Sequence, residues 1–274
     1  MTVTTTSKRP VILITGPTGI GKTKLAIAIA KAFNTEIVSV DSLQVYCDGG
    51  LMTAKATPKE MDSVKHHMID YLDADQEPDE YLSMALQAIQ DIHSRRMVPV
   101  LVGGSTSLTI PLLFDAFGPR YRTLVIQLFA SEAMLDPRLD ARIDEMLSEG
   151  LLDELRGLHM LEKELIGVLD FSRGVWKAIG YPEFHPYLES DGQESSLFAA
   201  GVVKMKENTR LYARYQCQWF DSCLMPLLDA HGVQHKSIEV VPKGDWERDV
   251  MAPVAGLCTS WSRAKIGKLS QTTQ

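Results

Sequence analysis

The chain has 274 residues, of which 45% are hydrophobic and 23% are charged, so it is long enough for one large α/β domain or a domain with a small subdomain. Its formal net charge of −7 argues against a protein that grips a long polyanion, because such proteins usually present a basic face. A local basic pocket is still compatible with this charge. No apolar run approaches the roughly 20 residues that a membrane helix needs, and the polar residues 1–9 contain no apolar segment for secretion. We therefore expect a cytoplasmic protein with a disordered lead-in over residues 1–9.

The first predicted elements form a βαβ unit. Residues 11–15 are apolar and β-branched, which is typical of a buried parallel strand. Gly16 to Gly21 supplies a loop, and the spacing of apolar residues predicts a helix over residues 22–33. A second strand is expected at residues 37–40, so the unit is complete near the start of the chain.

Strands and helices continue to alternate after this unit. A helix is expected from about Asp79, its candidate N-cap, to residue 97, and the strand "VPVLVGG" follows it. The next strand covers residues 123–129, and Asp136-Pro137 is interpreted as the cap and first position of a helix that carries Leu139, Ile143, Leu147 and Leu151. A long helix is expected at about 200–220. This alternation predicts a P-loop NTPase-like, doubly wound parallel sheet with a helical C-terminal part.

The phosphate-binding loop is the most specific single motif. Gly16-x4-Gly21-Lys22-Thr23 fits G-x-x-x-x-G-K-[ST], and it lies between a predicted strand and a predicted helix. In such a loop the backbone N–H groups face phosphate oxygens, the lysine adds a positive charge, and the Thr23 hydroxyl can bind Mg²⁺. A chance glycine-rich turn is the alternative, which the flanking elements disfavour. The motif does not identify the phosphate compound that it holds.

Asp41 closes the second predicted strand, at the sheet edge where doubly wound folds bind their ligands. An aspartate there can help to hold Mg²⁺ or can act as a general base. Taken alone, such a residue is most often a turn or helix-capping aspartate. Here it opens the polar stretch "DSLQVY", beside the phosphate loop.

Seven segments occur in an order that resembles a known enzyme family. They are "GPTGIGKTKLA", "EIVSVDSLQVY", "TAKAT", "HHMID", "VPVLVGGSTSL", "RIDEMLSEGLLDEL" and "AIGYPEF". Together they resemble the isopentenyltransferases that attach a dimethylallyl group to the N6 amine of adenine, over about residues 10–220. The resemblance implies one catalytic domain over 10–232 and leaves residues 233–274 as a partly disordered C-terminal segment.

This family has a branch that modifies tRNA and a branch that modifies free AMP, ADP or ATP in cytokinin synthesis. The tRNA branch usually carries a large helical insertion after the "GG" strand, whereas here "PLLFDAFGPRYRTLVIQLF" leads almost directly to the next strand. Many eukaryotic tRNA enzymes also carry a zinc finger, and the four cysteines here form no C-x-x-C pair. The segment "DFSRGVWKAIGYPEF" looks most similar to the nucleotide-using enzymes. The resemblance therefore implies dimethylallyl diphosphate and an adenine nucleotide as partners, without nucleic acid or membrane.

The resemblance also implies roles for residues of the loop. The loop would hold the diphosphate of the prenyl donor, and Asp41 would take a proton from the adenine amine. Lys22 and Thr18 are the other expected catalytic residues, and Thr23 would bind Mg²⁺, the expected cofactor. The remaining expected diphosphate contacts in the loop are Gly16, Pro17, Gly19, Ile20 and Gly21.

Two predicted helices offer further cations for the diphosphate. Arg138 and Arg142 lie four residues apart, and "RLDARIDEM" resembles the family's paired-arginine segment. Arg210 and Arg214 continue a stripe that begins at Lys206, and "TRLYARYQ" resembles the family's late Thr-Arg segment. From spacing alone, either set could equally be a solvated charged face.

Contacts to the nucleotide are expected from Ser42, Gln44, Tyr46, Ser105 and Arg173. His66-His67 is interpreted as structural rather than as a metal site, because adjacent side chains on an extended chain point in opposite directions. Cys47 stands where the family usually has a basic residue, which weakens the expectation of a phosphate contact there. Three other functions remain open on this reasoning: a tRNA dimethylallyltransferase, a small-molecule or nucleotide kinase with the same loop, and a silent nucleotide-binding protein.

Overall fold

The computed structural model describes residues 8–165, 171–190 and 192–263. Within these ranges, six strands form a single parallel sheet in the order β3-β2-β4-β1-β5-β6. The strands are β1 Arg9–Thr15, β2 Ile37–Ser39, β3 His66–His67, β4 Val100–Val102, β5 Tyr121–Phe129 and β6 Gln234–Glu239. The predicted doubly wound parallel sheet is confirmed. The predicted lead-in falls mainly on residues 1–7, outside the described residues.

Helices cover both faces of this sheet. They are α1 Lys22–Phe33, α2 Pro58–Ser63, α3 Tyr81–Ser94, α4 Glu132–Ser148, α5 Leu151–Leu165, α6 Tyr181–Glu189, α7 Ser195–Trp219, α8 Met225–Ala230 and α9 Ala252–Arg263. Alternate residues of β1 point to opposite faces, so Val11 and Leu13 join one apolar core while Ile12 and Ile14 join the other. The first core is closed by residues of α3, α5 and α6, and the second by residues of α1 and α9.

Three predicted helix boundaries need correction. The helix expected from Asp79 to residue 97 runs only from Tyr81 to Ser94, and Glu80 is its N-cap. Arg96 has a φ of 61°, a left-handed conformation that ends the helical path early. The long helix expected at 200–220 begins at Ser195 and ends at Trp219.

The predicted cap at Asp136-Pro137 is also wrong. α4 begins at Glu132 with Ser131 as its N-cap, and Pro137 lies inside the helix. The proline lacks an N–H, so one backbone hydrogen bond is missing there. The apolar series that was expected to continue to Leu151 is divided at Gly150, whose φ of 107° separates α4 from α5.

The segment after residue 232 is part of the same sheet. β6 pairs with β5 in parallel from Leu124↔Gln234 to Phe129↔Glu239. In α9, Val254 and Trp261 are buried against the core that contains Ile12 and Ile14. The boundary that the sequence analysis drew at residue 232 therefore does not divide the folded unit, and residues 264–274 of that predicted segment lie outside the described residues.

Candidate active site

A cavity of about 450 Å³ lies at the carboxyl ends of β1, β2 and β4. Parallel strands present their carboxyl ends at the same edge, and this edge is where doubly wound sheets bind ligands. The phosphate loop, the residues after β2, the two glycines after β4, and one face each of α4 and α7 line the cavity. Thr18, Lys22, Thr23, Asp41 and Gln44, which the sequence analysis selected, lie together here.

Two glycines of the loop are required by its packing. Gly16 has a φ of 147°, and a Cβ atom there would lie 2.4 Å from the Leu128 carbonyl oxygen of β5. Gly21, at the start of α1, has a φ of 102°, and a Cβ atom would lie 2.7 Å from the Trp246 ring. These glycines therefore let the loop lie against β5 and the C-terminal segment, in addition to presenting N–H groups to an anion.

Lys22 lies beneath the loop, where its ammonium group donates to the Pro17 carbonyl oxygen at 2.9 Å. Burial lowers the pKa of Lys22 to about 8, with Asp41 acting to raise it and Arg142 acting to lower it. An anion that binds beside this lysine would raise its pKa again and favour the charged form.

Arg142 reaches the same cavity from α4. Its Nη1 lies 3.4 Å from the Thr18 hydroxyl oxygen, and burial lowers the pKa of its guanidinium. Its Nε is buried without a hydrogen-bond partner among the described residues. A guanidinium whose buried Nε donor is unused is costly unless a ligand completes its bonding, and a phosphate group matches its geometry. Arg138, one turn earlier, also lines the cavity.

The Asp41 carboxylate is oriented by the backbone that follows it. Its Oδ1 accepts hydrogen bonds from the Leu43 N–H at 2.9 Å and the Gln44 N–H at 3.4 Å. The Gln44 side chain is held by the Ser39 hydroxyl at 3.1 Å and by the carbonyl oxygens of Thr53 and Ala54 at 3.3 Å. The carboxylate is thus fixed by an Asx-type turn at the end of β2, facing the cavity that the phosphate loop also lines.

The sequence reasoning missed Gln216, which joins two parts of this site. Gln216 is buried on α7; its Oε1 accepts from the Thr18 N–H at 2.8 Å, and its Nε2 donates to the Gly104 carbonyl oxygen at 2.9 Å. Tyr212, one turn earlier, also lines the cavity. The i, i+4 spacing of Tyr212 and Gln216 within "TRLYARYQ" is the signal that could have found both. Glu145 and Thr53 are further missed lining residues.

The cationic stripe of α7 is not brought to the cavity. Its members form ion pairs with acidic residues of α4: Lys206 with Asp144 at 2.6 Å, Arg210 with Asp140, and Arg214 with Asp136 at 2.6 Å and Glu132 at 2.9 Å. Arg210 and Arg214, the expected diphosphate contacts, are therefore not among the residues that line the cavity. The spacing of four residues instead matches a row of ion pairs between α7 and α4. This outcome agrees with the charged-face alternative that the spacing left open.

Several other expected residues also lie away from the cavity. Ile20 and Tyr46 are fully buried in the two cores, and the Tyr46 hydroxyl donates to the Gln76 carbonyl oxygen at 3.1 Å. The Ser105 hydroxyl accepts from the Leu108 N–H at 3.3 Å in a local turn. Arg173 lines a separate cavity. Ser42 is next to Asp41 in the chain but is not among the residues that line the site.

The adjacent histidines fit the structural interpretation. His67 Nε2 lies 2.6 Å from the Glu36 carboxylate, which also pairs with Arg95, and His66 Nδ1 lies 2.7 Å from the Val64 carbonyl oxygen. Each of them is thus engaged with its own neighbours. Across the described residues, we find no helix with the length and apolar character required to traverse a bilayer.

The chain matches the family model described as IPP transferase over residues 44–117 and 106–222. It is 42% identical over 262 residues to the bifunctional cytokinin biosynthesis protein of Fusarium pseudograminearum, covering 94% of this chain and 54% of that protein. This chain thus spans about half the length of that relative. It is 33% identical over 222 residues to adenylate isopentenyltransferase 5, chloroplastic, of Arabidopsis thaliana, covering 77% of this chain and 66% of that enzyme.

The tRNA dimethylallyltransferase of Schizosaccharomyces pombe is 25% identical over 333 residues, covering 88% of this chain and 76% of that enzyme. The aligned stretch of 333 residues is longer than this chain of 274, so that enzyme contains residues without a counterpart here.

A solved eukaryotic dimethylallyltransferase acting on tRNA has the same fold, with a TM-score of 0.80 at 23% identity, covering 94% of this chain and 80% of that one. The family model spans more than half of the chain, and the Fusarium relative aligns with nearly all of it. The chain therefore belongs to the IPP transferase family, as the resemblance indicated.

Proposed function

We propose that the protein transfers a dimethylallyl group from dimethylallyl diphosphate to the N6 amine of a free adenine nucleotide (AMP, ADP or ATP) and releases diphosphate, as the first step of cytokinin synthesis. The observation that carries this proposal is that the phosphate loop and the Asp41 carboxylate line one cavity. A diphosphate leaving group and an amine that must lose a proton would then meet between these two groups.

The cationic side of the cavity suits a leaving diphosphate. As the allylic C–O bond breaks, its electron pair stays on the diphosphate oxygen, and fixed donors around that oxygen lower the barrier. Lys22, Arg138 and Arg142 line this side together with the loop N–H groups. Because Lys22 and Arg142 are held by hydrogen bonds before the substrate arrives, little reorganisation is required during the reaction.

The acidic side suits activation of the amine. The N6 lone pair forms the new C–N bond, and the proton lost from N6 passes to the Asp41 carboxylate. A positioned base is typically worth about 10²–10⁴-fold in rate. The two backbone N–H bonds to Oδ1 keep this carboxylate pointed toward the cavity without consuming both of its oxygens.

The donor set at this site fits Mg²⁺. The Thr23 hydroxyl lines the cavity, and hydroxyl oxygens are among the hard oxygen ligands that Mg²⁺ prefers alongside phosphate oxygens. A bound Mg²⁺ would neutralise part of the charge on the diphosphate. Thr23 is the residue of the loop that would hold it.

The choice of a free nucleotide rests on size and charge. The alignment with the Schizosaccharomyces pombe tRNA enzyme is longer than this chain, so that enzyme has residues that this chain lacks. The alignments with the Fusarium and Arabidopsis relatives are shorter than this chain. The chain also carries a net charge of −7, which gives little attraction for a polyanionic RNA. Transfer to tRNA is the second candidate, because a tRNA-modifying enzyme has the same fold with a TM-score of 0.80.

The deciding experiment offers radiolabelled dimethylallyl diphosphate with AMP, ADP, ATP or unmodified tRNA in parallel. We expect label on at least one free nucleotide and release of diphosphate. Label on tRNA alone would overturn the proposed acceptor and leave the site chemistry intact. Hydrolysis or transfer of the ATP γ-phosphate in the absence of a prenyl donor would instead indicate a kinase.

A further inference from the structure

A second polar cluster lies between α5 and α6, away from the cavity described above. His159 and Glu162 are three residues apart on α5 and therefore share a face of that helix, and His185 projects from α6. One ligand atom from each of the three residues lies within 4.8 Å of the other two. None of them lines the diphosphate cavity, and the proposed reaction does not use them.

From this arrangement we infer that His159, Glu162 and His185 form a binding site for a divalent transition metal of the Zn²⁺ type. Two imidazoles and a carboxylate are a common zinc ligand set, with a fourth position for water. A metal at this site would stabilise the pairing of α5 with α6, because its ligands come from both helices. Along the chain, residues 166–180 join these two helices.

The distances between the donor atoms match this ligand set. Glu162 Oε2 lies 3.3 Å from His159 Nδ1 and 3.3 Å from His185 Nε2. Ligands that lie about 2.0–2.2 Å from a tetrahedral zinc ion are separated from one another by roughly 3.3–3.5 Å. Two of the three distances between donor atoms are therefore close to those of a tetrahedral site, and the third is within 4.8 Å.

Neighbouring groups also suit a metal. His159 Nε2, the ring nitrogen opposite the donor Nδ1, lies 3.0 Å from Glu189 Oε1 without the angle of a hydrogen bond. A carboxylate of the kind that commonly orients a metal-binding histidine is therefore close to this ring nitrogen. Glu162 and Glu189 together would balance a double positive charge, although Lys163 lies 3.5 Å from the Glu189 carboxylate. His185 is half-buried and is the most accessible of the three ligands.

The Tyr181 hydroxyl lies beside the three donor atoms. It donates to Glu162 and lies 3.1 Å from His159 Nδ1. A metal-bound water that hydrogen-bonds to this hydroxyl would complete the site.

The test uses the full chain after chelator treatment and removal of the chelator. We expect one equivalent of Co²⁺ to give the visible absorption of a four-coordinate site, and one equivalent of Zn²⁺ to displace it. Saturating Zn²⁺ should raise the Tm by about 5–10 °C at a hundredfold excess over the Kd. Glu189→Gln should weaken binding about 10–100-fold, and His185→Gln should weaken it further.

His231→Gln, which alters an exposed histidine of the segment after α8, is the matched control and should bind as the unaltered chain does. Circular dichroism in the presence of chelator verifies that each variant is folded. The inference is overturned if the chain binds no Co²⁺ or Zn²⁺, or if His185→Gln and Glu189→Gln bind with unchanged affinity. The three side chains would then form a hydrogen-bonded polar cluster only. Neither result depends on the proposed transferase activity.

Discussion

At Asp41 the negative charge can be removed while an acceptor for the backbone hydrogen bonds is kept. Its Oδ1 accepts two backbone N–H groups, and an asparagine keeps one oxygen acceptor for them. We therefore expect Asp41→Asn to stay folded while kcat falls by about 10²–10⁴-fold, because the proton acceptor is lost. The measurement is transfer of label from dimethylallyl diphosphate to nucleotide, with the prenyl donor KM recorded in parallel.

Glu145 supplies the control for Asp41, since its carboxylate lines the same cavity from α4. Glu145→Gln should change kcat by less than about tenfold, because its position gives it no assigned proton transfer. Equal losses in the two variants would mean that the cavity needs negative charge in general rather than a base at Asp41.

The lowered pKa of Lys22 predicts that kcat/KM for the prenyl diphosphate depends on pH. Burial lowers the pKa of its ammonium group to about 8, so the free enzyme carries the charge below that pH and loses it as the pH rises through about 8. We expect kcat/KM for the prenyl diphosphate to fall on the alkaline side of this value, because kcat/KM reports the free enzyme. In Lys22→Arg this alkaline decrease should move to higher pH. A profile that is flat from pH 7 to 10 would contradict the assignment.

At the scale of elements, the two hydrogen bonds of Gln216 link the phosphate loop to Gly104, which follows β4. A leucine there would leave the Thr18 N–H and the Gly104 carbonyl without their partners in a buried setting. Each unsatisfied group typically costs about 1–3 kcal/mol. We expect Gln216→Leu to lower the free energy of unfolding by that order and to lower kcat/KM for the prenyl diphosphate. Gln218→Leu, an exposed position on the same helix, should leave both values nearly unchanged.

The two arginine pairs differ in what they contact. Arg142 is half-buried and lines the cavity, whereas Arg214 of α7 pairs with Asp136 and Glu132 of α4. We expect Arg142→Ala to lower kcat/KM by about 100-fold or more, as loss of an electrostatic contact to a leaving group does. Arg214→Ala should keep kcat/KM within about threefold and Tm within about 2 °C, because exposed ion pairs contribute little. A large loss in Arg214→Ala would restore the role that the sequence suggested for it.

The two arginine pairs also show which features of this structure can be predicted from a sequence pattern. The motif of residues 16–23 fixes the loop, because a lysine and threonine at that spacing after a buried strand have few other arrangements. Spacing of four residues places Arg210 and Arg214 on one side of α7, but it does not reveal which helix that side meets. Pro137 was misread for a similar reason, since a proline is favoured at the first helical position and only the packing of Leu135 shows that the helix had already begun.

At the scale of the whole molecule, the C-terminal segment completes both the sheet and the loop. Val250, Val254 and Trp261 are buried in the core that also contains Ile12 and Ile14. Sequence reasoning underrated this segment because β6 alternates polar residues with few apolar ones, as suits a strand at the sheet edge.

A chain that ends at residue 240 should therefore fail to reach a native state. It retains β6 but exposes the apolar face that α9 covers, and we expect no cooperative thermal unfolding and strong binding of a hydrophobic dye. The point variant Trp246→Ala removes only the ring that lies against Gly21. It should unfold cooperatively and bind the prenyl diphosphate more weakly. Native-like unfolding of the shortened chain would show that the segment is dispensable for folding.

The contact between Gly21 and Trp246 also orders events during protein synthesis. The ribosome makes the phosphate loop first, and the Trp246 indole that lies against Gly21 is added 225 residues later. A nascent chain can pair β1 with β4 early, but its phosphate loop lacks this aromatic neighbour until residue 246 has been added. The packing of the phosphate loop is thus completed late in translation, and a polypeptide released before residue 246 lacks the ring that lies against Gly21.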